Sequence, residues 1–307
     1  MRKAFVDTLY SLAENNNDIF LLSADMGFSL FEKFRDSFPR RFINLGVAEA
    51  NMIGVAAGLA LSGKNVYAYA IVPFLTMRCL EQIRVDICSQ DLSVKLVGSG
   101  GGLSYGPQGV THHSIEDIAM MRSLPNMTVV CPGDPIESEL TTQESAVWSH
   151  PIYIRLSVGR DTEVHTEKPF FEIGKGIILE DGCDLTIMAT GNMLHAAKQV
   201  AERLQGSGVK PLLISMHTIK PIDQALIRKA AAETGAIFTL EEHSLIGGLG
   251  SAVAEILGES AEKVLFKRIA LPDRYIKEVG GQEFLRRICG LSIDQVAETI
   301  LNAISIR

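Results

Sequence analysis

The stretch GVAEANMIGVAAGLALSG, from Gly46 to Gly63, constrains the fold more than any other part of this chain. After Glu49 it carries no ionisable side chain until Lys64. It predicts a helix apolar on every face, and so one that is buried on every face. Glu49 would enter the interior at the first turn. A carboxylate taken out of water costs several kcal/mol unless a partner or a proton neutralises it. Gly54 and Gly58, with Ala50, Ala57 and Ala60 around them, keep the helix thin, which suits close approach by a second helix or a subunit. The residues alone leave two readings of Glu49 open: a functional carboxylate, or a first-turn acid that merely complements the helix dipole.

The remaining sequence must supply the cover. Its 307 residues are comfortable for two domains, and 47% hydrophobic residues support sizeable cores. A net charge of -7 with no basic block excludes nucleic acid as an expected partner. Five widely spaced cysteines, Cys79, Cys88, Cys131, Cys183 and Cys289, contain no CxxC pair, which argues against a disulfide framework or a zinc site and fits a cytoplasmic protein. The N-terminal MRKAFVDTLYSLAENNN lacks the continuous apolar core of a secretory signal, and no apolar run approaches a membrane span.

Read in order, Ala4, Phe5, Leu9, Leu12 and Ala13 recur at helical spacing, and Ile19–Leu22 reads as a buried strand ending at Ser23-Ala24-Asp25. Strands then alternate with helices: 41–45, the apolar helix, 65–70, a helix through Leu80 and Ile83, 93–97, a helix at 115–122, 127–130, a helix after Pro135, and 152–156. Such alternation predicts a parallel sheet covered on both faces, with ligands bound beyond the carboxyl ends of its strands. A second set follows, with strands at 185–189, 211–215, 236–240 and 264–269. The fold expected is therefore α/β, two open, mostly parallel sheets: a domain over 1–163, a linker over 164–178 and a smaller domain over 179–307. The loop from Gly98 to His113 concentrates glycine and polar side chains; its Gly98-Ser-Gly-Gly-Gly102 run could cradle an anion or simply turn the chain. No GxxxxGKS/T, GxGxxG or HExxH motif is present.

Assembled, the blocks Ser23-Ala24-Asp25, GVAEANMIGVAAGLA, Phe74 with Glu81-Gln-Ile-Arg84, GPQGVTHHSIEDIAMMRSLPNM and TLEEHSLIGGLG resemble, across essentially the whole chain, the C-terminal half of transketolase. The resemblance implies a pyrimidine-binding domain followed by a transketolase C-terminal domain, and thiamine diphosphate as cofactor. It implies that Glu49 binds the aminopyrimidine ring nitrogen, that Phe74 stacks on the ring, and that Asp25 and Ile71 also contact the cofactor. His112 matches the histidine beside the substrate, with His113 structural. Ser29 matches a phosphate contact; Arg160, with Arg155 as its competitor, matches another. Two departures, Gln108 in place of an Asp and Gly100 in place of a His, imply a substrate other than the usual pentose phosphates. The family's Mg-binding GDG-to-Asn segment is not found here. The expectation is a split enzyme whose separately encoded partner holds Mg2+ and the diphosphate, in an α2β2 heterotetramer that transfers a two-carbon ketol unit from a ketose phosphate to an aldose acceptor. Other readings are a 2-oxo acid dehydrogenase β subunit, a carboligase like deoxyxylulose-phosphate synthase, and a non-catalytic regulatory subunit. His243 is left between an interface and a core role.

Overall fold

In the computed structural model, which describes residues 1–159, 162–261 and 263–305, the expected alternation folds into two sheets. The strands are β1 (Ile19–Ser23), β2 (Phe42–Asn44), β3 (Asn65–Ile71), β4 (Val94–Ser99), β5 (Thr128–Val130), β6 (Ile152–Leu156), β7 (Ile177–Glu180), β8 (Leu185–Ala189), β9 (Pro211–Ser215), β10 (Thr218–Lys220), β11 (Ala236–Ser244) and β12 (Leu265–Leu271). The helices are α1 (Arg2–Asn15), α2 (Glu32–Ser37), α3 (Glu49–Leu61), α4 (Val72–Thr76), α5 (Leu80–Gln82), α6 (Asp117–Ser123), α7 (Pro135–Val147), α8 (Leu194–Gly206), α9 (Gln224–Thr234), α10 (Leu249–Gly258), α11 (Gln282–Ile288) and α12 (Ile293–Ser305).

The first sheet has the order β10-β5-β6-β4-β3-β1-β2, with β10 antiparallel to β5 and every other pair parallel. The second has the order β12-β11-β8-β9-β7, with only β7 antiparallel. Period-two alternation explains how the first sheet is buried on both sides. In β3, Val66, Ala68 and Ala70 join a core with Met52, Ile53, Ala56 and Ala57 of α3. Tyr67 and Tyr69 point the other way, into a core with Phe5, Val6 and Leu9 of α1. Small residues on β3 meet small residues on α3, so the thin helix lies close to the sheet.

Three expectations change. The apolar helix is not covered on every face: Glu49, Met52, Ile53, Ala56 and Ala57 are buried, but Asn51, Gly54, Gly58 and Leu61 form an exposed stripe, because this chain packs only one side of it. The helix expected through Leu80 and Ile83 divides into α5 and a π-helical turn at Ile83–Cys88, preceded by α4, which starts directly from β3. The expected linker contains the start of β7, and β10 leaves the second half of the chain to extend the first sheet. Among the described residues no helix is long and apolar enough to cross a membrane, and the five cysteines are unpaired by disulfides.

Candidate active site

The carboxyl ends of β1, β2, β3 and β4 bring the candidate residues to one edge of the first sheet. Asp25 follows β1 with a left-handed φ of 52°, its N–H donating to Asn44 Oδ1 at 3.0 Å. Ile71 ends β3 and is buried. Glu49 opens α3 after β2, and Phe74 lies in α4 after β3. The Gly100–His113 loop follows β4.

Glu49 is only 3% exposed, and it has the partner that its burial demands: Arg78 Nη1 donates to its Oε2 at 2.6 Å. Oε1 has no hydrogen-bond partner among the described residues. The Arg78 guanidinium lies 4.4 Å from the centre of the half-buried Phe74 ring, a cation–π contact. On that ring the His112 imidazole sits edge-on, centroids 5.2 Å apart, and Tyr105 flanks His112 at 6.0 Å. Thr111 Oγ1 pairs with His112 Nδ1 at 2.9 Å, which fixes the ring and leaves Nε2 as the nitrogen for another partner. Glu49, Arg78, Phe74 and His112 thus form one continuous series, beside a cleft lined by Phe74, Arg78, Thr111, Glu116 and Tyr275, among others. Burial raises the Glu116 carboxyl above its ordinary range, and the charge of Asp117 adds to this. Burial also pushes the Cys79 thiol up to about 12, with the Glu49 charge adding to it, so that thiol is inert beside the site.

The other predicted residues fall outside this series. Ser29 (φ 59°) and Gln108 are exposed, in a turn after β1 and in a 3-10 helix (Gly106–Thr111) after β4. Arg155 is sealed inside: its Nε and Nη2 donate to Asp117 at 2.7 and 3.2 Å, and Nη2 also reaches Ser114 O and Glu242 O. It is 4% exposed and serves the core. Arg160 lies outside the described residues. His113 is buried with Nε2 3.4 Å from Gly106 O, and burial lowers its pKa. The glycine run is a turn in its own hydrogen bonds: Gly100 and Gly101 donate to Leu156 O, and Gly102 to Ser114 O, so those N–H groups are spent. Glycine is required at 100 and 102 because a Cβ would meet Tyr105 at 2.1 Å and Glu242 at 2.3 Å.

Sequence reasoning missed Arg78, although a cation four residues beyond a ring-stacking Phe is a usable signal. It also left His243 open. His243 is wholly buried between the two sheet units: Nδ1 bonds to Ser244 O at 2.9 Å, and Nε2 accepts from Ala119 N–H in the first turn of α6. That pairing requires a neutral ring protonated on Nδ1. Its neighbour Glu241 accepts from Leu249 and Gly250 N–H, capping α10. Among the described residues no group of three His, Cys, Asp or Glu side chains is placed to hold a metal.

Residues 1–160 match the transketolase pyrimidine-binding domain, and residues 174–296 match the transketolase C-terminal domain. The chain is 39% identical to a putative transketolase C-terminal section of Methanocaldococcus jannaschii, over 98% of this chain and 95% of that one. It is 38% identical to a 6-deoxy-6-sulfo-D-fructose transketolase subunit of a Clostridium species, over 96% and 92%. A solved split-gene transketolase, described as an inactive beta4 tetramer, superposes with a TM-score of 0.90 at 37% identity, covering 99% of this chain and 98% of that one. The chain therefore belongs to the transketolase family, as a pyrimidine-binding and C-terminal domain pair.

Proposed function

We propose that this chain is the C-terminal subunit of a two-component transketolase, which moves a two-carbon ketol unit from a ketose phosphate to an aldose with thiamine diphosphate. The observation that carries this reading is the Glu49–Arg78–Phe74–His112 series at the carboxyl edge of a parallel sheet. A buried carboxylate with one oxygen unpaired, next to the accessible part of an aromatic ring, fits a flat aminopyrimidine that needs a proton-sharing carboxyl and a stacking surface. When bound, the cofactor supplies the electron sink for cleaving and forming a carbon–carbon bond beside a carbonyl.

In this reading Glu49 holds a proton at the ring nitrogen, and Phe74 sets the plane of the ring. Arg78 keeps the Glu49 carboxylate in place before the ring arrives, and Asp25 and Ile71, at the carboxyl ends of β1 and β3, also contact the cofactor. His112 presents Nε2 to a sugar oxygen, held by Thr111 at its other nitrogen. Ser29, Gln108 and Arg160 contact the distal part of the sugar. The relative named for a sulfonated sugar supports a substrate pocket that varies at this end.

The diphosphate and Mg2+ would be held by a separately encoded partner, in an α2β2 assembly. Relatives named as a section and as a subunit support this division, as does the inactive single-component tetramer. The exposed stripe on α3, with Phe28 (81% exposed) and Val47 (73%) at the site's rim, supplies apolar surface for assembly.

The test is calorimetric titration of thiamine diphosphate and Mg2+ into this chain alone, into its mixture with the partner subunit, and into the same mixture carrying Glu49→Gln. Binding only in the mixtures, with ketol transfer lowered at least ~10²-fold by Glu49→Gln, is the expected result. Tight Mg-dependent binding by the chain alone would overturn the two-subunit reading, and full activity in Glu49→Gln would overturn the site.

A further inference from the structure

The loop that bears His112 is held at its base by the second sheet unit. β11 ends at Ser244, and its Glu242 side chain, wholly buried, reaches across to the first. Oε1 accepts Leu103 N–H at 2.6 Å, inside the loop, while taking bonds from Asn192 Nδ2 at 3.2 Å and Gln282 Nε2 at 2.8 Å. Oε2 pairs with Arg286 Nε. The Glu242 carbonyl accepts from Arg155, which also binds Ser114 O, where the loop closes through paired Gly102 and Ser114 bonds. The loop's crown rests on the same unit: a Cβ on Gly106 would meet Gly280 O at 2.3 Å, and one on Gly109 would touch Val279.

Arg286, Gln282 and Asn192 would satisfy Glu242 within the second unit by themselves. The Leu103 bond is the additional one, and it ties the carboxylate to the loop alone. A bond from a backbone N–H to a buried ionised acceptor is among the stronger kinds.

We propose that Glu242 is a positioning residue for His112, fixing through Leu103 the height of the Leu103–His112 segment over Phe74. The proposal rests on the reading of His112 given above. Nothing in it requires Glu242 to meet substrate or cofactor.

The discriminating variant is Glu242→Asp, which keeps the charge for Arg286 and withdraws the carboxylate from Leu103 by one methylene. Amide hydrogen exchange on the full chain is expected to show Leu103 protected in the wild type and the 103–112 amides exchanging about 10- to 100-fold faster in the variant. In the reconstituted enzyme, with hydroxypyruvate as a minimal ketol donor, KM is expected to rise about tenfold while thiamine diphosphate affinity stays unchanged. A merely structural role would lower the folded fraction, and so apparent kcat, without moving KM. Unchanged loop exchange, or unchanged KM, would overturn the proposal. If the variant does not fold, the wild type still decides: a Leu103 amide exchanging as fast as an amide in an unstructured peptide would overturn the tether. The exchange measurements need no activity, so a wild type inactive in ketol transfer would remove the functional reading and leave the tether to be judged by its own data.

Discussion

Two buried charges in the first sheet unit show how differently a chain can treat the same cost. Glu49 has Arg78, and its second oxygen, unpaired among the described residues, lies at the carboxyl edge of the sheet. Lys95 sits at the opposite end of β4, wholly buried, with Nζ bonded to Ser93 Oγ at 2.6 Å and Ser93 O at 3.3 Å. Among the described residues it has no carboxylate partner, and burial pulls its pKa down to about 7 from 10.5. Between those values the unfolded chain binds a proton that the folded chain refuses, so wild-type stability rises with pH across that window. Below about 7 the folded state bears the full penalty. Lys95→Met removes it, and should stabilise the chain by about 5 kcal/mol at pH 6, with the gain shrinking to nothing near pH 10.5. Thermal melts of both proteins at several pH values measure this; a gain independent of pH would mean that packing, rather than the charge, is responsible. Glu49, Phe74 and His112, which the structure brings together, stood out in the sequence because each lies in a distinctive local block. Arg78 was not singled out, since its meaning depends on Glu49, which lies 29 residues away in sequence.

At the scale of elements, α3 explains both a success and an error. The absence of ionisable side chains after Glu49 correctly gave a helix at Glu49–Leu61 lying against the sheet. Apolar composition does not say which cover comes from the same chain, and here Asn51, Gly54, Gly58 and Leu61 stay exposed. A Cβ at Gly54 or Gly58 would meet nothing within 4 Å, so these glycines are not needed by the chain's own packing. Their helical cost, about 1 kcal/mol each relative to alanine, has no return within this chain. Gly58→Leu should leave the isolated chain as stable as the wild type or raise its melting temperature by about 2 °C. If the proposed partner subunit packs on α3, the same variant should lose co-purification with it, because a bulky side chain would protrude from the exposed stripe. Assembly that survives this substitution would move the interface away from α3.

Across the whole molecule, the links that bind the two sheets into one body were the least legible. β10 is three residues long, too short for any periodicity, and it pairs with a strand some ninety residues earlier (~90 by register). Glu242 and His243 carried the family resemblance, yet their partners Leu103 and Ala119 lie 139 and 124 residues away. A third link joins α7, the 164–165 segment and β9: Glu137 Oε1 pairs with His165 Nε2 at 2.9 Å and accepts from Ser215 Oγ at 2.6 Å, while Gly133 N–H donates to Oε2. Burial opposes the charge on both partners, but the pairing wins: with His217 and Ser215 helping, His165 holds the Glu137 carboxyl below its usual range, and Glu137 raises His165 above 6.5. His217, stacked on Phe171, is lowered by burial and resists protonation. The signs follow. The Glu137 contribution is lost as pH falls through its depressed pKa, and the His165 contribution is present below 6.5 and lost as pH rises through its elevated one. His165→Gln keeps a neutral hydrogen bond to Glu137 and removes the titration. Its melting temperature should fall below the wild type's near pH 6, by the equivalent of about 1–2 kcal/mol, and converge on it at alkaline pH. The His217 penalty is common to both proteins and cancels in the difference. A single calorimetric transition that shifts as a whole would show that the latch joins both sheets in one cooperative unit; a split transition in the variant alone would show that His165 is what couples them, and a constant offset at every pH would assign its role to packing.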